Sequence, residues 1–447
     1  MGEQREQWSS KIGFILASAG AAIGLGAIWK FPYVTGTNGG GAFFLLFIVF
    51  TLLIGLPMLI SEFVIGRGSK KEAVSAYQKL APKSGWTWIG KFGLVGCFLL
   101  LSFYSVVGGW VLTYAILATS GQIIGPTADY GALFGSITST PWIGLVGLAI
   151  FLVINVLVLS LGIRNGIEKA NKFLMPLLFV FFLILVARSL TLEGASEGIR
   201  FFLQPDFSSI TSEGVLYALG QSFFALAVGF SCLVTYSSYL DKKESIPTAA
   251  VSVVGMNLFV SLLAGLAIFP AIFALGFEPT EGPGLLFIVL PAVFAEMVWG
   301  ELFLALFLLL FLFATLTSSF SLLEIIVSAF TESKKRTRKR VAAYSGLVIF
   351  LAGIPAALSF GVLSNVQFFN LSIFDATDFL VSNIMLPLGC LLISLFISLR
   401  MEKRLMEQEF LSGNRLTNRF FTVWLFLMKY VVPLVIIVVF INTLGVL

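Results

Sequence analysis

Residues Gly13–Gly41 read GFILASAGAAIGLGAIWKFPYVTGTNGGG, and the fold turns on how this stretch is understood. It begins as an apolar helix of membrane-spanning character. Between Gly20 and Gly26 it becomes a run of small residues that includes Gly20, Gly24 and Gly26. Each glycine lowers helix propensity by about 1 kcal/mol relative to alanine. Backbone carbonyls freed at membrane depth are tolerated only where they line a cavity or bind something. Small residues also mark tight helix packing in membranes. The stretch alone therefore leaves two readings, a packing seam or a helix broken around a site.

The surrounding chain supplies the context. Its 447 residues are 58% hydrophobic and 11% charged, the composition of a polytopic all-α membrane protein. A crossing needs about 20 apolar residues, and the sequence holds eleven such transmembrane segments. They are Ile12–Thr35, Ala42–Gly66, Phe92–Leu117, Trp142–Leu161, Phe173–Leu190, Val215–Tyr239, Pro247–Leu275, Leu302–Phe330, Val341–Phe360, Phe369–Leu399 and Thr422–Leu447. Pro283–Met297 is apolar but short and reads as a re-entrant or surface helix in an outer loop. Lysine and arginine concentrate after the even-numbered spans, most densely in Lys334–Arg340. The positive-inside rule then places the N-terminus in the cytoplasm and the C-terminus outside. The basic block is a cytoplasmic loop flank, so no nucleic-acid partner is expected. With no histidine in the chain, a histidine proton relay and a histidine metal site are both excluded. Cys97, Cys232 and Cys390 fall inside spans and read as small packing residues, without a disulfide.

Several spans carry polar groups at depth. Glu62 ends span two; it either ties down the backbone of a broken neighbour or takes part in transport. Tyr104 lies near the middle of span three, where its hydroxyl needs a partner such as a ligand carboxylate. Gly166 and Pro176 bracket the start of span five, as an ordinary helix start or as a hinge that opens a water path. Span six is small again over Ala227–Ser231, flanked by Phe224 and Phe230. Spans one and six are thus interrupted at matching places. Such a pair points to inverted repeats with a binding site at the membrane midplane, a rule itself drawn from the fold named below. The chain then reads as one transporter domain, with helices 1–5 in residues 1–190, helices 6–10 in 214–399, and helix 11 in 422–447. Asn257 on span seven and Thr315, Thr317, Ser318 and Ser319 on span eight add amide and hydroxyl oxygens. That oxygen set suits a hard cation, and the lack of a carboxylate favours a monovalent one.

These residues resemble the neurotransmitter:sodium symporter family, of the leucine-transporter fold, over nearly the whole chain. The anchors are Trp8, Gly20–Gly26, Phe31-Pro32-Tyr33, Asn38–Phe43, Gln221–Phe224 and Leu316–Ser319. The resemblance implies a 5+5 inverted repeat with broken helices 1 and 6, and two sodium ions. One sodium site would use Gly20, Ile23, Ala314, Thr317 and Ser318. The other would use Ala22, Asn257 and the substrate carboxylate; it departs from the family pattern at Ala27 and Ala225, and Ser231 stands as a replacement oxygen. Chloride is left open, since Gln221 and Ser261 suit it while Phe47 and Ala225 do not. Gly24 stands where amine transporters resemble one another in an aspartate, which implies a ligand that brings its own carboxylate. The implied substrate residues are Ala22, Leu25, Gly26, Leu100, Tyr104, Phe224, Ala225, Ala227, Gly229, Phe230, Ser318 and Leu322. Their apolar character implies a hydrophobic amino acid, aliphatic or aromatic. Implied gates are Tyr104 and Phe224 with Lys30 facing Asp378 outside, and Arg5 with Glu332 inside, near Trp8 and Tyr239.

The expectation is therefore a sodium-coupled symporter that imports hydrophobic L-amino acids by alternating access across a bacterial plasma membrane. A proton-driven or exchange carrier of the same fold is the nearest alternative. An amino-acid-sensing receptor or channel is a second, of another class. No nucleophile–base constellation marks an enzyme.

Overall fold

The computed structural model describes residues 6–124, 128–277, 284–334, 337–414 and 416–443. The bundle is helical, with one two-stranded ribbon, Gln367–Phe368 against Leu371–Ser372, among the described residues. Nine helices are long and apolar enough to cross a membrane, again among the described residues. A bent pair, Lys11–Ala22 and Gly26–Thr37, turns by 52° and makes a tenth crossing. These are spans 1a and 1b. Span six is also in two pieces, 6a over Ser212–Ala225 and 6b over Cys232–Ser237. The remaining spans are Gly41–Ser69, Thr87–Thr119, Pro141–Ser160, Ile163–Leu190, Ile246–Ala274, Gly300–Thr331, Arg338–Ala357, Ile373–Leu399 and Asn418–Ile441. Thus both expected interruptions are present, and the eleven-helix architecture with broken helices 1 and 6 stands.

Two local causes hold the breaks open. At Ile23 the backbone leaves the helical region (φ −90°, ψ 82°). In span six, Ala227, Gly229 and Ser231 all have positive φ, so the helix is unwound before 6b begins. The amides freed there need acceptors, and Glu62 supplies them. Its Oε1 accepts from Gly229 N at 2.7 Å, and its Oε2 from Leu233 N at 3.1 Å and Val234 N at 3.3 Å. A carboxylate at the start of 6b meets orphan donors and the positive end of the helix dipole together. The backbone-tethering reading of Glu62 is the one the geometry supports.

Span five begins at Ile163, earlier than the expected Phe173, because Gly166 and Ile167 lie in a continuous helical turn. Pro176 sits inside the wound helix. The short apolar segment folds as a helix over Leu285–Ala295 and caps span three, where Tyr114 Oη donates to the Phe287 carbonyl at 3.2 Å. All three cysteines are buried and free, and the Cys97 and Cys232 sulfurs lie 3.1 Å apart between spans three and 6b.

Candidate substrate and sodium sites

The broken ends of spans one and six face spans three, eight and ten across a small cavity. It is lined by Ala21, Ala22, Gly24, Leu25, Gly26, Leu100, Tyr104, Phe224, Ala227, Phe230, Cys232, Ser318, Leu322 and Leu386. Ten of the residues implied for substrate are in this lining. Two are not. Ala225 is buried behind it, its carbonyl accepting from Asn257 Nδ2 at 2.8 Å. Gly229 turns its backbone to Glu62 and to span ten, where an added Cβ would stand 2.8 Å from the Leu386 carbonyl. That turn brings Leu386 to the cavity in its place, and Cys232 follows at the start of 6b.

Close approach explains the glycines of span one. A Cβ on Gly24 would lie 2.2 Å from Ser318 Oγ and 2.8 Å from Tyr104 Oη. One on Gly26 would lie 2.8 Å from the Phe224 ring. Neither position has room for a side chain. The Tyr104 hydroxyl donates to the Thr315 carbonyl at 3.2 Å and also approaches Ser318 and the Leu25 amide.

Beside the cavity, oxygens from spans one and eight converge. Ser318 Oγ donates to the carbonyls of Gly20 at 2.8 Å and Ala21 at 3.0 Å, and Thr317 Oγ1 to that of Ala314 at 3.0 Å. Four of the five oxygens implied for one sodium site are therefore in one cluster, with Ile23 at the helix end beside it. Carbonyls and hydroxyls of this kind suit a hard monovalent cation. On the other side, Asn257 donates through Nδ2 to Ala225 and, at 3.4 Å, to the Ala22 carbonyl. Its Oδ1 is buried without a hydrogen-bond partner. Asn257 and Ala22 are thus together, as implied, through the Nδ2 of Asn257. Ser231 is not part of that group: its hydroxyl bonds Tyr77 Oη at 2.8 Å, because the αL turn at Ser231 aims it away toward the helix Ala73–Leu80. Gln221 Nε2 donates to the Gly26 carbonyl at 2.6 Å, and Ser261 Oγ is buried and unpartnered.

The two ends of the bundle close differently. At the end beyond Phe224, Lys30 does not pair with Asp378. Its Nζ lies 4.7 Å from the centre of the Phe224 ring, and Asp378 accepts instead from Ser382 Oγ at 2.6 Å. A cation over an aromatic face replaces the expected ion pair. At the other end Trp8 is buried, packs on Phe14, Tyr236 and Tyr239, and donates to the Tyr236 carbonyl at 2.9 Å. Arg5 and the side chain of Glu332 lie outside the described residues. The closure that is seen joins Tyr239 to residues not singled out in the sequence. Glu324, wholly buried, accepts from Tyr239 Oη at 3.0 Å and from Arg338 Nη1 at 3.1 Å. Glu168 accepts from Ser9 N at 2.8 Å and pairs with Lys172 at 2.6 Å. The signal for Glu324 was present, since it is a carboxylate within an apolar span, like Glu62.

Paired broken helices around a cavity, with cation-suited oxygens beside it, are the arrangement of a secondary transporter. The chain belongs to the Sodium:neurotransmitter symporter family, whose model matches residues 5–124 and 138–446. It is 53% identical to the sodium-dependent transporter YhdH of Bacillus subtilis over the full length of both chains. It is 39% identical to a sodium-dependent transporter of Haemophilus influenzae over 99% of each. Among solved structures it is similar to MhsT in complex with L-phenylalanine, with 41% identity, a TM-score of 0.91, and coverage of 98% of this chain and 100% of that one. The protein is a multi-pass membrane protein and a sodium-dependent transporter, not an enzyme.

Proposed function

We propose that this transporter imports hydrophobic L-amino acids, aliphatic and aromatic, together with sodium, by alternating access. The observation that carries the reading is the cavity between the broken helices: among the described residues no Asp, Glu, Lys or Arg lines it, and its walls are apolar apart from Tyr104, Cys232 and Ser318. A zwitterionic ligand would set its carboxylate against the span-one amides and Tyr104, and its apolar side chain against Leu100, Phe230 and Leu322. The solved relative with L-phenylalanine supports this substrate class.

Two sodium ions are part of the proposal. One is held by Gly20, Ile23, Ala314, Thr317 and Ser318. The other is held by Ala22, Asn257 and the ligand carboxylate, so that ligand and ion each strengthen the other's binding reciprocally. Residues 1–190 and 214–399 act as the two repeats, with Gly166–Pro176 as the hinge for release. The chain sits in a bacterial plasma membrane with its N-terminus cytoplasmic and its C-terminus outside. Chloride has no assigned role in this reading. The test is uptake of labelled Leu, Tyr and Trp into proteoliposomes with sodium or potassium outside. Sodium-dependent accumulation is expected; equal uptake in both salts for all three would overturn the reading.

A further inference from the structure

Span five carries a polar group that the cycle described above does not use. Asn171 is wholly buried. Its Nδ2 donates to the Ile167 carbonyl of its own helix at 2.9 Å, which fixes how the amide is turned, since the opposite orientation would set two oxygens together. Its Oδ1 has no hydrogen-bond partner. Buried amide oxygens are normally satisfied, and an unsatisfied one asks for an explanation such as an ion.

The direction of this oxygen supplies the explanation. A Cβ built on Gly20 would stand 2.1 Å from Asn171 Oδ1 and 3.0 Å from Thr317 Cβ. The Asn171 oxygen therefore closes on Gly20, whose open face Thr317 also borders, at the sodium site proposed between spans one and eight. The same contact explains why position 20 holds glycine: any side chain there would displace the amide. We infer that Asn171 supplies an additional side-chain oxygen to the sodium ion at this site, from a third helix. This rests on the assignment of that site to Gly20, Ala314, Thr317 and Ser318. It has a consequence for release. Asn171 lies between Gly166 and Pro176, so any movement of that segment withdraws an oxygen from the ion as it opens the path to it.

The experiment measures equilibrium binding of radioactive sodium to the purified full-length protein without amino acid, so that the carboxylate-dependent site contributes little. Asn171→Ala should raise the half-saturating sodium concentration about fivefold or more, the scale of losing one buried polar contact. Asn171→Asp, which keeps the oxygen and adds charge, should lower it. Substrate half-saturation at saturating sodium should stay within about twofold of the parent in N171A, which a general packing defect would not permit. Sodium binding unchanged in N171A overturns the inference. If N171A fails to fold, N171D decides, and unchanged or weaker sodium binding there overturns it. Thr317→Ala with Ser318→Ala separates the two levels. Parent-like sodium binding in that double variant overturns the site itself, whereas its loss beside an unaffected N171A overturns only the role of Asn171.

Discussion

At Gly24 the absence of a side chain is the functional feature. A Cβ there meets Ser318 Oγ at 2.2 Å and Tyr104 Oη at 2.8 Å, so a side chain would displace the two hydroxyls that the proposed function places beside the ligand carboxylate. Gly24→Ala should therefore lower labelled leucine uptake by about tenfold or more while the protein still inserts and folds, consistent with the cost of overpacking a close site. Uptake near the parent level would show that the carboxylate binds elsewhere. Glu62 presents the opposite case, a side chain whose loss is felt through the backbone. Glu62→Ala leaves the amides of Gly229, Leu233 and Val234 without their acceptor, each at about 1–3 kcal/mol. A marked drop in thermal midpoint is expected, and an unchanged midpoint would contradict the tethering role. Both residues were readable in the sequence as anomalies, a glycine and a carboxylate at membrane depth. What each one touches was not.

At the scale of elements, the closed end near Trp8 depends on contacts between different helices. Arg338 at the start of span nine reaches Glu324 on span eight, and Glu324 reaches Tyr239 just after 6b. Removing one partner of a buried ion pair costs about 3–5 kcal/mol, because the remaining charge is left uncompensated. Arg338→Met should thus loosen this end and raise hydrogen–deuterium exchange across Lys11–Ala22. Exchange identical to the parent would place the closure elsewhere. Span five behaves differently. Its Gly166 lets span four approach so closely that an added Cβ would lie 2.0 Å from the Val158 carbonyl. The sequence left helix start and hinge as equal readings of Gly166–Pro176. In this conformation the segment is wound, and its movement is part of the proposal.

Across the whole molecule, the coupling ion is the central prediction. The chain has no histidine, and the cluster beside the cavity offers hydroxyls and carbonyls rather than a proton-carrying group. Uptake should persist when an ionophore collapses the proton gradient, provided the sodium gradient is kept. It should stop when sodium is equal on both sides. Loss of uptake with the proton gradient alone would favour the proton-driven alternative.

Composition, span length and paired small-residue interruptions are local properties; they were enough for a polytopic helical membrane protein interrupted in spans one and six, and the resemblance to the symporter family added the transporter with broken helices 1 and 6. Most of the cavity lining was reached through the family resemblance, which implied residues such as Leu100 and Leu322 that lie on other spans than the breaks. The exceptions are all matters of direction. Ser231 turned to Tyr77, Gly229 turned to span ten, and Lys30 settled over Phe224 instead of reaching Asp378. Glu324 with Arg338, and Asn171 against Gly20, depend likewise on which helix faces meet. A side chain's identity is carried by the sequence, whereas its partner is set by packing between different helices, and only the tertiary structure decides that.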